Sequence, residues 1–204
     1  MNDLATIIYY TSNRENEKFE QAIRDELVKS SNGTKIISVS QKPIDLGTNI
    51  CIGDVGANDI NLMKQILIGC ENATTPFLYM AEADCLYPPE YFTFIPEELN
   101  RVYHYSNLYM MYKWKPGFYH KSYSQCGLVV GREYAIKRLR ESIFPDHTIE
   151  ALKRDKKFLF DTPIINIKTR DGLRANTWVT KNLPPKDELP YWGTYNKLRE
   201  KLSW

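Results

Sequence analysis

Between residues 5 and 80, short apolar runs alternate with amphipathic stretches, and this alternation leaves the chain few architectures. Thr6-Ile7-Ile8-Tyr9-Tyr10 is a buried-strand run closed by the polar turn Thr11-Ser12-Asn13. Residues 15–29 place Phe19, Ala22, Ile23 and Leu27 at helical spacing, and Ser31-Asn32-Gly33 stops that helix. Residues 35–39 form a second strand run, and Ile50-Cys51-Ile52 a short third. Ile60, Met63, Leu67 and Cys70 mark another amphipathic helix before the apolar run Phe77-Leu78-Tyr79-Met80. Strands separated by helices require crossover connections, so the expectation is an α/β, Rossmann-type fold with a mainly parallel sheet flanked by helices.

The second half is mixed. Residues 103–123 combine aromatics with lysines, 126–130 read as a strand, 132–143 and 147–157 as helices, and 164–167 as a last strand. A polar tail follows, ending in Leu189-Pro190-Tyr191-Trp192-Gly193. At 204 residues the chain fits one domain able to bury a proper core. No apolar run approaches the roughly 18–20 residues of a membrane span, and Met-Asn-Asp-Leu has no basic n-region followed by an apolar h-region, so no secretory signal is expected. Cys51, Cys70, Cys85 and Cys126 are widely spaced, which suits reduced thiols and a cytoplasmic protein, host cytoplasm if phage-encoded. His104, His120 and His147 share no spacing that would make a zinc site. The net charge of +2 conceals an asymmetry. Residues 1–102 carry 8 basic and 15 acidic side chains, whereas residues 103–204 carry 19 and 10.

In open parallel sheets, ligands gather at the carboxyl ends of the strands. The first strand brings Tyr10, Thr11 and Ser12 to that edge and the second brings Ser40 and Gln41. The run ending at Met80 leads straight into Ala81-Glu82-Ala83-Asp84. Two carboxylates one residue apart where a buried strand leaves the core repel each other unless a cation lies between them. Oxygen ligands of this kind suit Mn²⁺ or Mg²⁺, which would bridge a nucleotide diphosphate. Acidic triplets are also common as plain solvated loops. The buried strand before this one, and Cys85-Leu86-Tyr87-Pro88-Pro89-Glu90-Tyr91-Phe92 after it, favour the metal reading.

With these segments in order, the chain resembles a family of small prokaryotic and phage GT-A glycosyltransferases, related to family 2 of those enzymes. The likeness covers nearly the whole chain. It runs through Ile7-Ile8-Tyr9-Tyr10-Thr11-Ser12-Asn13-Arg14, Ile37-Ser38-Val39-Ser40-Gln41-Lys42-Pro43-Ile44 and Lys64-Gln65-Ile66-Leu67-Ile68-Gly69. It continues through Glu82-Ala83-Asp84-Cys85-Leu86-Tyr87-Pro88, Ile164-Ile165-Asn166-Ile167-Lys168 and Leu189-Pro190-Tyr191-Trp192-Gly193. The acidic-Leu-Tyr-Pro block is its most specific part. The resemblance implies a GT-A-like fold, with residues 1–102 as a nucleotide-sugar half and residues 103–204 as an acceptor half. It implies transfer from a nucleoside-diphosphate sugar, a UDP-sugar favoured, to a hydroxyl. Tyr10, Thr11, Ser12, Ser40 and Gln41 would line the nucleoside pocket with Lys64 or Gln65 near it, and Glu82 and Asp84 would handle metal and diphosphate. Relatives show Ile-Asp-Ile-Arg-His after the last strand, where the His can complete a metal site. This chain has Asn166-Ile167-Lys168-Thr169-Arg170-Asp171. Either Asp171 replaces the His, or Lys168 and Arg170 hold the diphosphate directly, or that contact is absent. For an inverting reaction the base candidates are Asp146 first, then Glu150 and Asp161, each of which also reads as a cap or surface charge.

The run from Tyr103 to Tyr123 interleaves Tyr109, Tyr112, Trp114, Phe118 and Tyr119 with Lys113, Lys115 and Lys121. It reads either as an acceptor platform, for sugars or for a modified base of phage DNA flipped out of the duplex, or as core strands. A glycan or lipid-linked acceptor is the alternative. A sugar nucleotidyltransferase needs a Gly-rich loop where Thr11-Ser12-Asn13-Arg14-Glu15-Asn16 stands, and no P-loop motif is present. A nucleic-acid-binding module without catalysis would leave Glu82-Ala83-Asp84 without a purpose.

Overall fold

The computed structural model describes residues 3–122, 124–143, 152–153, 155–172 and 179–202. The first half follows the expected alternation. It comprises β1 (Ala5–Thr11), α1 (Glu17–Ser30), β2 (Lys35–Ser40), β3 (Thr48–Cys51), α2 (Asp59–Asn72) and β4 (Phe77–Glu82). Both helices start on asparagine caps. The Asn16 side chain accepts from Lys18 N at 3.0 Å and that of Asn58 from Asn61 N at 2.8 Å, satisfying amides the helix leaves open.

The second half adds β5 (Cys85–Leu86), a 3-10 turn at Pro89–Thr93, β6 (Val102–Tyr105), β7 (Leu108–Tyr112), β8 (Lys115–His120) and β9 (Leu128–Gly131). After these come α3 (Arg132–Ile143), β10 (Lys156–Phe158), β11 (Ile164–Lys168), β12 (Glu188–Leu189), β13 (Gly193–Thr194) and α4 (Tyr195–Lys201). The main sheet has the order β10-β6-β9-β4-β1-β2-β3. Its β4-β1-β2-β3 part is parallel, while β9 is antiparallel to both β4 and β6. A second sheet runs β5-β11-β7-β8. This is the GT-A-like architecture: a mostly parallel α/β sheet with helices, followed by a mixed segment.

Strand pleat divides the core. Ala5, Ile7 and Tyr9 of β1 face one cluster with Tyr79, Tyr87, Tyr91 and Phe92. Ile8 and Tyr10 face another, covered by α2 and α3 through Met63, Ile66, Ala135 and Leu139. A third cluster joins α1, the second sheet and α4 through Phe19, Ile23, Phe118, Ile165, Trp192 and Leu198.

Three expectations are corrected here. Residues 147–157 are not one helix. Lys156–Phe158 form a strand paired in parallel with Val102–Tyr105, and residues 144–151 lie outside the described residues. The aromatic run is chiefly strand and core. Tyr103, Tyr105, Tyr109, Phe118 and Tyr119 are all buried, while Trp114 is 41% exposed. Ile164–Lys168 is not the last strand: β12 and β13 pair further on, and beyond them α4 packs Tyr195, Leu198 and adjoining Leu202 into the third cluster.

Beneath the end of β1, Glu20 is 1% exposed and accepts from Thr11 Oγ1 at 3.3 Å, Asn13 Nδ2 at 3.3 Å and Arg24 Nη1 at 3.4 Å. Burial pushes its carboxyl up from 4.5 to about 7, against the opposing pull of Arg24. Folded Glu20 therefore keeps a proton that the unfolded chain loses near pH 4.5. The associated stability is complete below that pH and is lost as pH rises through about 7, a change of about 3 kcal/mol. Urea unfolding at a series of pH values should show this slope in the parent and a flattened one in Glu20→Gln. A slope left unchanged by the substitution would assign it to other groups.

Candidate functional site

The carboxyl ends of β1 and β4 open into a cavity of about 750 Å³. Tyr10, Thr11 and Ser12 line it from β1, and Glu82, Ala83 and Asp84 from the end of β4. Opposite them stand Gly56, Ala57, Asn58 and Asp59 at the start of α2, then Met63, Gln65 and Ile66 further along it. Register explains the convergence, because Tyr10 is paired with Glu82 across the β1–β4 ladder. The Tyr10 hydroxyl donates to Glu82 Oε1 at 3.4 Å.

The Leu-Tyr-Pro block has a structural purpose. Tyr87 is buried, its hydroxyl accepts from Glu82 N at 2.9 Å, and it donates to Cys126 O at 2.7 Å. One side chain thus ties the β4 end to the segment entering β9, fixing the backbone at the first acid. Tyr91 repeats the device one turn on, donating to Leu128 O at 2.7 Å and Met80 O at 3.2 Å.

Asp84 is held from three directions. Lys168 Nζ donates to its Oδ2 at 2.5 Å, Asn166 Nδ2 to its Oδ1 at 3.0 Å, and the Cys85 thiol to Oδ1 at 3.4 Å. Asn166 in turn accepts from Lys121 Nζ at 3.0 Å. Glu82 is less well satisfied: among the described residues, its carboxylate meets the Tyr10 hydroxyl and a Cys85 Sγ at 3.9 Å. Burial first, then the neighbouring Asp84, push the Glu82 carboxyl up to about 8. Burial works against charge on Lys168, but Asp84 carries its pKa above the ordinary lysine range. Glu82, Asp84 and Cys85 each offer one ligand atom, all within 4.8 Å of one another, a group that could hold a metal ion. The under-satisfied Glu82 carboxylate is what a cation would complete, so the residues fit one.

Some expected site residues stand elsewhere. Ser40 and Gln41 do not line the cavity. Ser40 is fully buried and donates to Lys42 O at 2.6 Å, while Gln41 braces the 55–56 loop through Gly56 O at 2.9 Å and Val55 N at 3.3 Å. Lys64 is exposed and outside the cavity wall, whereas Gln65 is buried in it, donating to Thr11 O at 2.8 Å. Lys168 lines the cavity, but Arg170 lies outside it against Trp114, 4.4 Å from the ring centroid. Asp171 is exposed and outside the lining, and Thr169, at the position of the relatives' His, donates to Glu15 Oε2 at 2.5 Å. Asp161 is exposed and also outside, and Asp146 and Glu150 lie outside the described residues.

Sequence pattern does not mark Glu15, Ser124 and Asn166 as cavity residues. Lys121, grouped above with the aromatic run, directly follows β8 and is 8% exposed in the cavity wall. Asn166 stands out in the sequence only as an Asn in place of Asp. Its amide is what lets one side chain donate to Asp84 and accept from Lys121.

No protein-family model matches the chain, and no curated protein matches it in sequence at a significant level. Solved structures match in fold. S. aureus TarS in complex with UDP-GlcNAc superposes with TM-score 0.52 at 12% identity, over 81% of this chain and 59% of that one. The catalytic domain of Drosophila beta1,4-galactosyltransferase 7, complexed with xylobiose, gives 0.41 at 18% identity over 66% and 50%. The inositol-1-phosphate CTP transferase from T. maritima gives 0.49 at 9% identity over 85% and 93%. The chain thus spans less than two thirds of the two glycosyltransferase chains. At 12% identity, the likeness to TarS is one of fold.

Proposed function

We propose that this chain transfers a sugar from a nucleoside-diphosphate sugar, a UDP-sugar foremost, to an acceptor hydroxyl. The observation that carries this reading is the Glu82–Asp84 pair, clamped by Tyr87 at the rim of a 750 Å³ cavity at the carboxyl edge of the sheet. Tyr10, Thr11, Ser12, Asn58, Asp59 and Gln65 line the wall on which a nucleoside would rest. Glu82 and Asp84 would hold Mn²⁺ or Mg²⁺, which supplies positive charge against the diphosphate. Lys168 adds an ammonium on the same edge, which can donate to phosphate oxygens. In this reading residues 1–102 bind the donor and residues 103–204 shape the acceptor side.

A saccharide is the acceptor class we favour, because most of the aromatic rings that could have stacked on bases are buried in strands. The excess of basic residues over 103–204, 19 against 10 acidic, is the observation behind a second acceptor, a modified base of DNA. Among the described residues no helix is long and apolar enough to cross a membrane.

The test is ligand-induced stabilisation. Melting temperatures are measured with UDP, GDP, CDP, ADP and UDP-sugars, each with and without Mn²⁺. One nucleotide should raise the melting temperature by several degrees in a metal-dependent manner, because a ligand that binds only the native state stabilises it by mass action. A flat response across the panel in folded protein would defeat the donor assignment.

A further inference from the structure

Resting on the reading of Glu82 and Asp84 as an ion-holding pair, we infer that Lys168 is a built-in competitor for that ion, which makes ion binding depend on the nucleoside diphosphate. Lys168 Nζ occupies Asp84 Oδ2 at 2.5 Å, while Oδ1 is taken by Asn166 at 3.0 Å. Asp84 therefore has both oxygens engaged before any ligand arrives. An ion reaching Asp84 Oδ2 must compete with the ammonium already there.

The backbone at both partners is fixed, so only the lysine side chain is free to yield. Ile167 N donates to Asp84 O at 2.7 Å, Asn166 pairs with Cys85 across β11–β5, and Lys113 N donates to Lys168 O at 2.9 Å. The Lys168 and Asp84 side chains are 12% and 17% exposed. Their attraction is thus stronger than that of an open surface pair, yet the ammonium has a short path into the cavity it lines. Asn166, itself held by Lys121, keeps Asp84 in place when Lys168 leaves, since its contact uses the other oxygen.

Charge balance gives the coupling its sign. The Asp84 carboxylate stands among two ammoniums, Lys168 on its own oxygen and Lys121 on Asn166 beside it. A divalent ion entering alone meets both lysines, and a diphosphate entering alone meets the Asp84 charge. Entering together, the ion takes Asp84 while the phosphate oxygens take the ammonium. Each ligand then raises the affinity of the other by the same factor.

Mn²⁺ binding to nucleotide-free protein, followed by electron paramagnetic resonance or calorimetry, tests the inference without any turnover. Lys168→Met should bind Mn²⁺ at least tenfold more tightly than the parent, should bind UDP more weakly, and should show a smaller enhancement of Mn²⁺ affinity by UDP. Lys168→Gln, which retains a donor to Asp84 without the charge, serves as the second variant if Lys168→Met fails to fold by circular dichroism. Its gain in Mn²⁺ affinity should be smaller but of the same sign. Mn²⁺ affinity unchanged or weakened in a folded variant, with the parent still binding Mn²⁺ and UDP, overturns the competitor role and leaves the proposed function standing. Absence of Mn²⁺ binding in every variant, even with UDP, overturns both the competitor role and the ion. Stabilisation by UDP alone would then preserve only the donor assignment.

Discussion

Asp84→Asn should lower sugar transfer at least a hundredfold while leaving the fold intact. The substitution keeps the side-chain shape and an acceptor oxygen for Lys168 or Asn166, but removes the charge that would hold the ion. Loss of one preorganised electrostatic contact of this kind costs about 10²–10³ in rate, or ~2.7–4 kcal/mol. Stability should change by only about 1–2 kcal/mol, because the pair with Lys168 is partly exposed and its hydrogen bonds are largely replaceable. Glu82→Gln should behave alike in activity and be nearly neutral in stability, since Gln resembles the protonated acid that burial and Asp84 favour up to about pH 8. Initial rates with the donor chosen by the stabilisation screen, alongside urea unfolding, separate the two quantities. Turnover within tenfold of the parent in either variant would remove that acid from the proposed machinery.

Much of this site could be read from local pattern. The apolar run Phe77 to Met80 predicts a strand, a strand in an α/β alternation predicts a sheet edge, and the acids that follow mark the ligand side. Tyr10, Thr11, Ser12, Glu82 and Asp84, which that pattern places at the edge, line one cavity, as do Gln65 and Lys168, which only the family resemblance singles out. What could not be read depends on long-range partners. Tyrosine is ambiguous because its ring packs like phenylalanine once its hydroxyl finds a carbonyl. Tyr105 does so at Phe160 O and Thr162 O, and Tyr79 at Phe94 O at 2.9 Å. The aromatic run therefore looks like a ligand platform and packs as core. Lys156–Phe158 fits a helical pattern locally, yet pairs with β6, because pairing across a sheet overrides the propensity of three residues. Ser40 and Gln41 stand at a strand end as expected. Their side chains satisfy nearby backbone groups, which sequence position does not reveal.

Gly131→Ala should destabilise the fold by about 3 kcal/mol or more, the largest effect of a one-carbon change among the glycines that need no positive φ. A Cβ at this position would stand 2.0 Å from Leu99 O, 2.7 Å from Leu99 C and 2.9 Å from Leu99 Cα. All three are backbone atoms, so no rotamer change relieves the clash. Gly69 is a milder case, since its Cβ would meet the Ile8 Cγ2 methyl at 2.5 Å, a side-chain atom and not backbone. Gly131 closes β9 opposite Phe77 of β4, and Leu128, three residues earlier on the same strand, lines the cavity. Relief of the clash by moving β9 would therefore shift the Cys126 carbonyl that Tyr87 uses to fix Glu82. The expected result is a lower urea midpoint at unchanged slope, together with a loss of transfer larger than the fraction unfolded explains. A stability within about 0.5 kcal/mol of the parent would mean that the residue 99 segment moves freely and that β9 is not pinned there. Lost stability with full activity in the folded fraction would mean that the clash is absorbed on the far side of the sheet, away from the Tyr87 clamp.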